Sequence, residues 1–289
     1  MMIRTMSAAV ALTTVLLAGA LPAYAERVQL SALDQQTHYH GLAVDPADPS
    51  RLYLATHHGF YLVYPDGTAE RVSAVQDFMG FTPHPTDPSI LYASGHPSSG
   101  GNLGFLLSAD GGANWTQVSA GIDGPVDFHQ MDVSPADPQV IYGSYGGIQV
   151  SRDGGKTWQM AGPTPEGLIA LAASAQDADR IYAATQGGLL VSDDAGTTWR
   201  NLAHEGAVVT MVTTGPDGAL YAFVVGRGLI LAKESDPEAW SAVGDVNGRI
   251  LLHLAIDGRD PQRLFAIAHK AGLLASEDGG KSWHAFGQP

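Results

Sequence analysis

The chain has 289 residues, 45% of them hydrophobic, with 35 glycines, 17 prolines and no cysteine. That length allows one large all-β domain or two ordinary ones, the glycine and proline content points to turns rather than long helices, and disulfides and cysteine-borne lipid anchors are excluded. A formal charge of −14 excludes the basic surface a nucleic-acid binder needs and favours cations as ligands.

In chain order, residues 1–25 read as a secretory signal. Arg4 gives a positive start, Met6 to Ala20 is almost wholly apolar, and Ala23-Tyr24-Ala25 fits small-x-small cleavage. Cleavage after Ala25 is expected, with an uncleaved N-terminal anchor as the alternative; losing Arg4 takes the charge from −14 to −15. No second apolar run approaches the ~18–20 residues that span a bilayer. A periplasmic or secreted monomer is therefore expected.

A repeat follows. Asp-Pro, or a variant of it, precedes a strand-like run at Asp48-Pro-Ser-Arg-Leu-Tyr53, Asp87-Pro-Ser-Ile-Leu-Tyr92, Asp137-Pro-Gln-Val-Ile-Tyr142, Asp177-Ala-Asp-Arg-Ile-Tyr182 and Asp260-Pro-Gln-Arg-Leu-Phe265, with a shortened copy at Gly215-Pro-Asp-Gly-Ala-Leu-Tyr221. Six units of roughly 40 residues have the spacing of four-stranded propeller blades. Their limits fall at about 37–76, 77–124, 125–166, 167–206, 207–248 and 249–289, so 26–289 reads as a single all-β, six-bladed β-propeller. In the first unit the strands are predicted at His40–Val44, Leu52–Thr56, Phe60–Tyr64 and Glu70–Val75. Val28–Leu33 is a spare strand, expected to join the last blade beside or in place of Trp283–Phe286.

Between the third and fourth strands, four units carry S-x-D-x-G-x-[TSN]-W: Ser108 to Trp115, Ser151 to Trp158, Ser192 to Trp199 and Ser276 to Trp283. The aspartates Asp110, Asp153, Asp194 and Asp278 can accept backbone N–H bonds while glycine supplies the positive φ of the turn. The motif resembles the Asp-box, or BNR, repeat of sialidases, sortilin-type receptors and bacterial propellers labelled glycosyl hydrolase or exo-sialidase. More loosely, the chain is similar to the photosystem II assembly propeller. Units one and five carry eroded boxes.

Aligning the units also aligns histidines. Eight residues before the repeated Asp stand His40, Met79, His129, Ile169 and Leu252; two earlier stand His38, Asp77, Asp127, Gly167 and Ile250. Five residues after the aligned Leu or Ile of the second strand come His57, His96, Gly146, Gln186, Val225 and His269. All three positions project to one face in an antiparallel blade. A metal site is expected at the mouth of the central channel, from His38, His40, His57, His96, His129, His269 and Met79, with Asp77, Asp127 and His58 in support. Imidazole suits copper, zinc, nickel and iron, and a thioether shifts the preference to copper, favoured here over zinc. The alternative is that these imidazoles only line a wet channel.

The resemblance to sialidases implies an arginine triad and an Arg-Ile-Pro motif. No Arg-Ile-Pro occurs, and Arg51, Arg180 and Arg263 precede second strands, on the other face. Asp77 and Asp127 would be the carboxylate pair of another glycosidase type. A scaffold or assembly propeller with a periplasmic protein partner is the remaining reading, with the insertion His96 to Gly104 as a contact loop.

Overall fold

A computed structural model describes residues 27–244, 246–270 and 272–287. The expected signal segment lies outside them. Among the described residues no helix is long and apolar enough to cross a membrane.

Six antiparallel sheets form a six-bladed propeller. The first holds β1 (Arg27–Gln29), then, after the one-turn helix α1 (Leu30–Leu33), β2 (Tyr39–Val44), β3 (Leu52–Thr56), β4 (Gly59–Val63) and β5 (Thr68–Arg71). The second blade is β6 (Asp77–Pro83), β7 (Leu91–His96), β8 (Phe105–Ser108) and β9 (Thr116–Ser119). The third is β10 (Gln130–Val133), β11 (Ile141–Ser144), β12 (Ile148–Ser151) and β13 (Gln159–Gly162). The fourth is β14 (Leu168–Ala173), β15 (Ile181–Thr185), β16 (Gly188–Ser192) and β17 (Arg200–Ala203). The fifth is β18 (Val209–Gly215), β19 (Ala219–Val224), β20 (Gly228–Lys233) and β21 (Asp236–Gly244). The sixth is β22 (Leu251–Ile256), β23 (Leu264–Ala268), β24 (Gly272–Ser276) and β25 (His284–Ala285).

Second strands such as β3, β15 and β23 are buried along their whole length, which follows from a sheet covered on both faces by neighbouring blades. The core is accordingly divided into six apolar clusters, one for each seam between adjacent blades. Between blades one and two, Phe60 meets Phe81 and Trp115, with ring centroids 4.9 and 5.4 Å away. A buried ring of this kind contributes about 1.5–3 kcal/mol.

The Asp-boxes join these seams as well as closing hairpins. In each, the Asp accepts the backbone N–H four residues on, the hydroxyl or amide of the same residue, and the hydroxyl of the leading Ser. The Ser oxygen accepts the N–H of the glycine four residues on. That glycine lies flat on the third strand of the preceding blade. A Cβ on Gly112 would come 2.2 Å from Phe60, and one on Gly155 2.0 Å from Phe105. Only glycine permits so close an approach.

Two expectations need correction. In blade one, the turn Pro65-Asp-Gly67 is tight, with Tyr64 and Thr68 bonded at 2.8 Å, so pairing resumes at Thr68, earlier than the predicted Glu70. The spare strand does not join the last blade. Blade six has an intact box around Asp278, and the strand after that box is its own β25. The free edge lies instead on β5, where β1 pairs Arg27 with Glu70 and Gln29 with Thr68. Residues 30–33 form α1, whose Leu30 and Leu33 enter the cluster between blades six and one. The ring therefore closes through packed side chains, together with an Arg259 bond of 2.5 Å to the Pro46 carbonyl.

Candidate metal centre

The first strands begin, and the second strands end, on one face. There the positions aligned in the sequence are bonded pairs. Asp77 is in register with His96, and His57 N–H donates to the His38 carbonyl at 3.4 Å. Gln186 donates to Gly167 at 3.0 Å and His269 to Ile250 at 2.8 Å. The repeat thus sets equivalent pairs around the channel mouth, and those of blades one, two and six carry histidines.

Three of the predicted histidines converge on one carboxylate. Asp77 opens β6, and its side chain is only 5% exposed. Its Oδ2 is hydrogen-bonded to His57 Nδ1 and lies 3.3 Å from His96 Nε2. Its Oδ1 faces His40 Nε2 across 3.8 Å. Those last two atoms are buried and have no hydrogen-bond partner among the described residues. The His40 ring stands edge-on to His57 with centroids 4.1 Å apart. Ligand atoms of His40, His57 and Asp77 all lie within 4.8 Å of one another. Burial pushes the His40 pKa down to about 3, with His57, His253, His129 and His38 adding to the effect, so this imidazole stays neutral and available as a donor.

Asp127 forms a separate pair. Its Oδ2 is 3.0 Å from the His129 Nε2, and this hydrogen bond raises the His129 pKa against the effect of burial. Its Oδ1 is buried and unpartnered. The expected ring of ligands therefore resolves into a cluster on Asp77 and a satellite on Asp127. Asp77 and Asp127, the carboxylates that the glycosidase alternative would use, are each bonded to imidazole: Asp77 to His57 and Asp127 to His129. Met79 is buried on β6 opposite Ser94. His38 and His58 are exposed beside the cluster, and His269 is exposed at the end of β23.

His253 also belongs to this region, although strict alternation along a strand places it out of phase. The first strands of blades one, two, four, five and six each carry a register shift, that of blade six between Leu251 and His253. A bulge breaks the two-residue period, so Leu252 and His253 both line the channel. Burial lowers the His253 pKa to about 4.

The channel encloses about 1130 Å³, from His40, His129 and His253 at one end to the Asp-Pro turns at the other. Asp132 in its wall accepts bonds from Thr82 of blade two and from Ala173 N–H of blade four, yet burial raises its pKa to about 6.

A family model described as Photosynthesis system II assembly factor YCF48 matches residues 100–287, more than half of the chain. No curated protein matches. Among solved structures, the GH74 xyloglucanase of Xanthomonas campestris shares 21% identity at a TM-score of 0.59, over 86% of this chain and 45% of its own. A YCF48 bound to D1 peptide shares 18% at 0.55, over 90% and 85%, and YCF48 from Cyanidioschyzon merolae 16% at 0.51, over 86% and 84%. The chain spans less than half the length of the GH74 enzymes. At these identities the likeness shows the fold alone.

Proposed function

The chain belongs to the Photosynthesis system II assembly factor YCF48 family, and from that premise we propose a periplasmic or secreted propeller scaffold that holds a transition metal ion, copper before zinc, at the seam of its first two blades. The observation that carries the reading is the facing pair of unpartnered buried atoms, His40 Nε2 and Asp77 Oδ1. Burying a carboxylate beside a neutral ring that it does not bond is costly, and a cation between them satisfies both. His57 and His96 supply further nitrogen donors. Imidazole and carboxylate suit copper(II), which heads the divalent affinity order, and then zinc. Titration calorimetry on protein purified without a histidine tag should show one copper(II) per chain. His40→Ala or Asp77→Asn should weaken it by about 10- to 100-fold. Wild-type protein that takes up no stoichiometric metal would sink the reading.

A specific observation favours a protein partner as a second reading. Val75, Tyr145, Val208 and Val225, each 38–48% exposed, sit in loops on the same face as the metal cluster. A structure of a YCF48 with D1 peptide shows a partner-bound relative of this fold. A photoreactive residue at position 225 should crosslink a partner that one at Met160, on the outer strand β13, does not.

A further inference from the structure

Building on that metal site, we infer that His38 and His58 are transfer ligands, the route by which the ion passes between an external carrier and the resident donors. Imidazole exposure falls in steps from His38 and His58 through His57 to His40. His38 and His58 are exposed, the His57 side chain is 39% exposed, and that of His40 is 17% exposed. The His38 and His58 ring centroids lie 5.5 and 6.5 Å from that of His57, which stands 4.1 Å from His40. Neither outer ring belongs to the group whose ligand atoms lie within 4.8 Å. His58 is held outward by a tight turn, its backbone N–H donating to Thr56 Oγ1 at 3.0 Å.

The chemistry of transfer explains such a gradient. A metal ion does not travel bare; each donor it loses is replaced through a mixed-ligand state. The incoming ligand must be reachable from outside and within one side-chain swing of the next. His38 and His58 meet the first condition towards solvent and the second towards His57. Each step exchanges one donor for another, an imidazole nitrogen for a carrier amine or carboxylate and finally the Asp77 carboxylate, so copper stays copper(II) and no electron or co-reactant is required. The matching donor is a small carrier that holds copper(II) through amine and carboxylate groups and releases them one at a time.

The test mixes the untagged full chain with copper(II) bis-glycinate in a stopped-flow instrument and measures affinity separately by competition calorimetry. The His38→Ala/His58→Ala double variant should load about tenfold more slowly than wild type, because pre-capture near the site is lost. Release to EDTA should slow equally, leaving Kd within about threefold of wild type. His38→Gln/His58→Gln serves as a second variant, and melting curves confirm that both fold. Unchanged rates would overturn the inference, and so would a Kd that weakens along with the rate, since the two histidines would then be resident ligands. Wild type that takes up no copper overturns the site and the route together, whereas Asp77→Asn failing while wild type binds confirms the site alone and leaves the double variant to decide the route.

Discussion

Aspartate recurs on both faces of this propeller with opposite fates. In the boxes, Asp153 and its counterparts accept three hydrogen bonds within their own hairpin. On the other face, Asp77 and Asp127 are buried, turn one oxygen to imidazoles and leave the other without a partner. The same side chain, delivered by the same repeat, is self-sufficient where it builds the fold and incomplete where we propose that a cation binds. Local satisfaction marks structure, and its absence marks a site.

The contrast can be broken most forcefully at a box. Gly155→Ala puts a methyl 2.0 Å from Phe105 at a φ of +83°, and should cost about 3 kcal/mol in chemical denaturation while leaving copper binding intact. A pair of isosteric changes sharpens it. Asp77→Asn should weaken copper binding by about 10- to 100-fold with little change in melting temperature, and Asp153→Asn should do the reverse. Equal effects of the two on melting would erase the distinction.

Acid separates the faces as well. Thr157, Thr198 and Ser282 hydroxyls, helped by backbone N–H groups, hold Asp153, Asp194 and Asp278 at about 2, below the ordinary 3.8. The unfolded chain takes up those protons first, so the boxes lose their contribution as pH falls from about 4 through 2. His253 is also lowered, from 6.5 to about 4, so its effect begins earlier: stability falls as pH drops through that window. His253→Gln should shrink the first phase of an acid-unfolding curve, which His40 shares, and keep the second. The smallest effect is expected between two tryptophans. Trp158 donates to Ser119 and Gly155, while Trp199 Nε1 has no partner. Trp158→Phe should cost about 1 kcal/mol more than Trp199→Phe, measured by thermal melts.

The fold was legible because its signals are local. A box needs only eight consecutive residues, and its spacing counts the blades. Ring closure was not, because Val28–Leu33 reads as strand on apolar content, and only the intact box in blade six reserves that blade's edge for β25. Leu30 and Leu33, three apart, were the helical clue. At the site, repeat alignment brought His57, His96 and Asp77 to one mouth, since equivalent residues of stacked blades must meet. It could not say that Asp127 would keep to His129, because that depends on which way each carboxylate turns. His253 escaped because a bulge shifts the phase.

The way the circle is fastened has a mechanical meaning. Five joints have neighbours consecutive in the chain, but the sixth joins blades six and one, and among the described residues no strand passes between those sheets. The molecule is a bracelet whose clasp is packed side chains, Leu30 and Leu33 among them, and a stretching force should part it there first, leaving the joint between the first two blades for later.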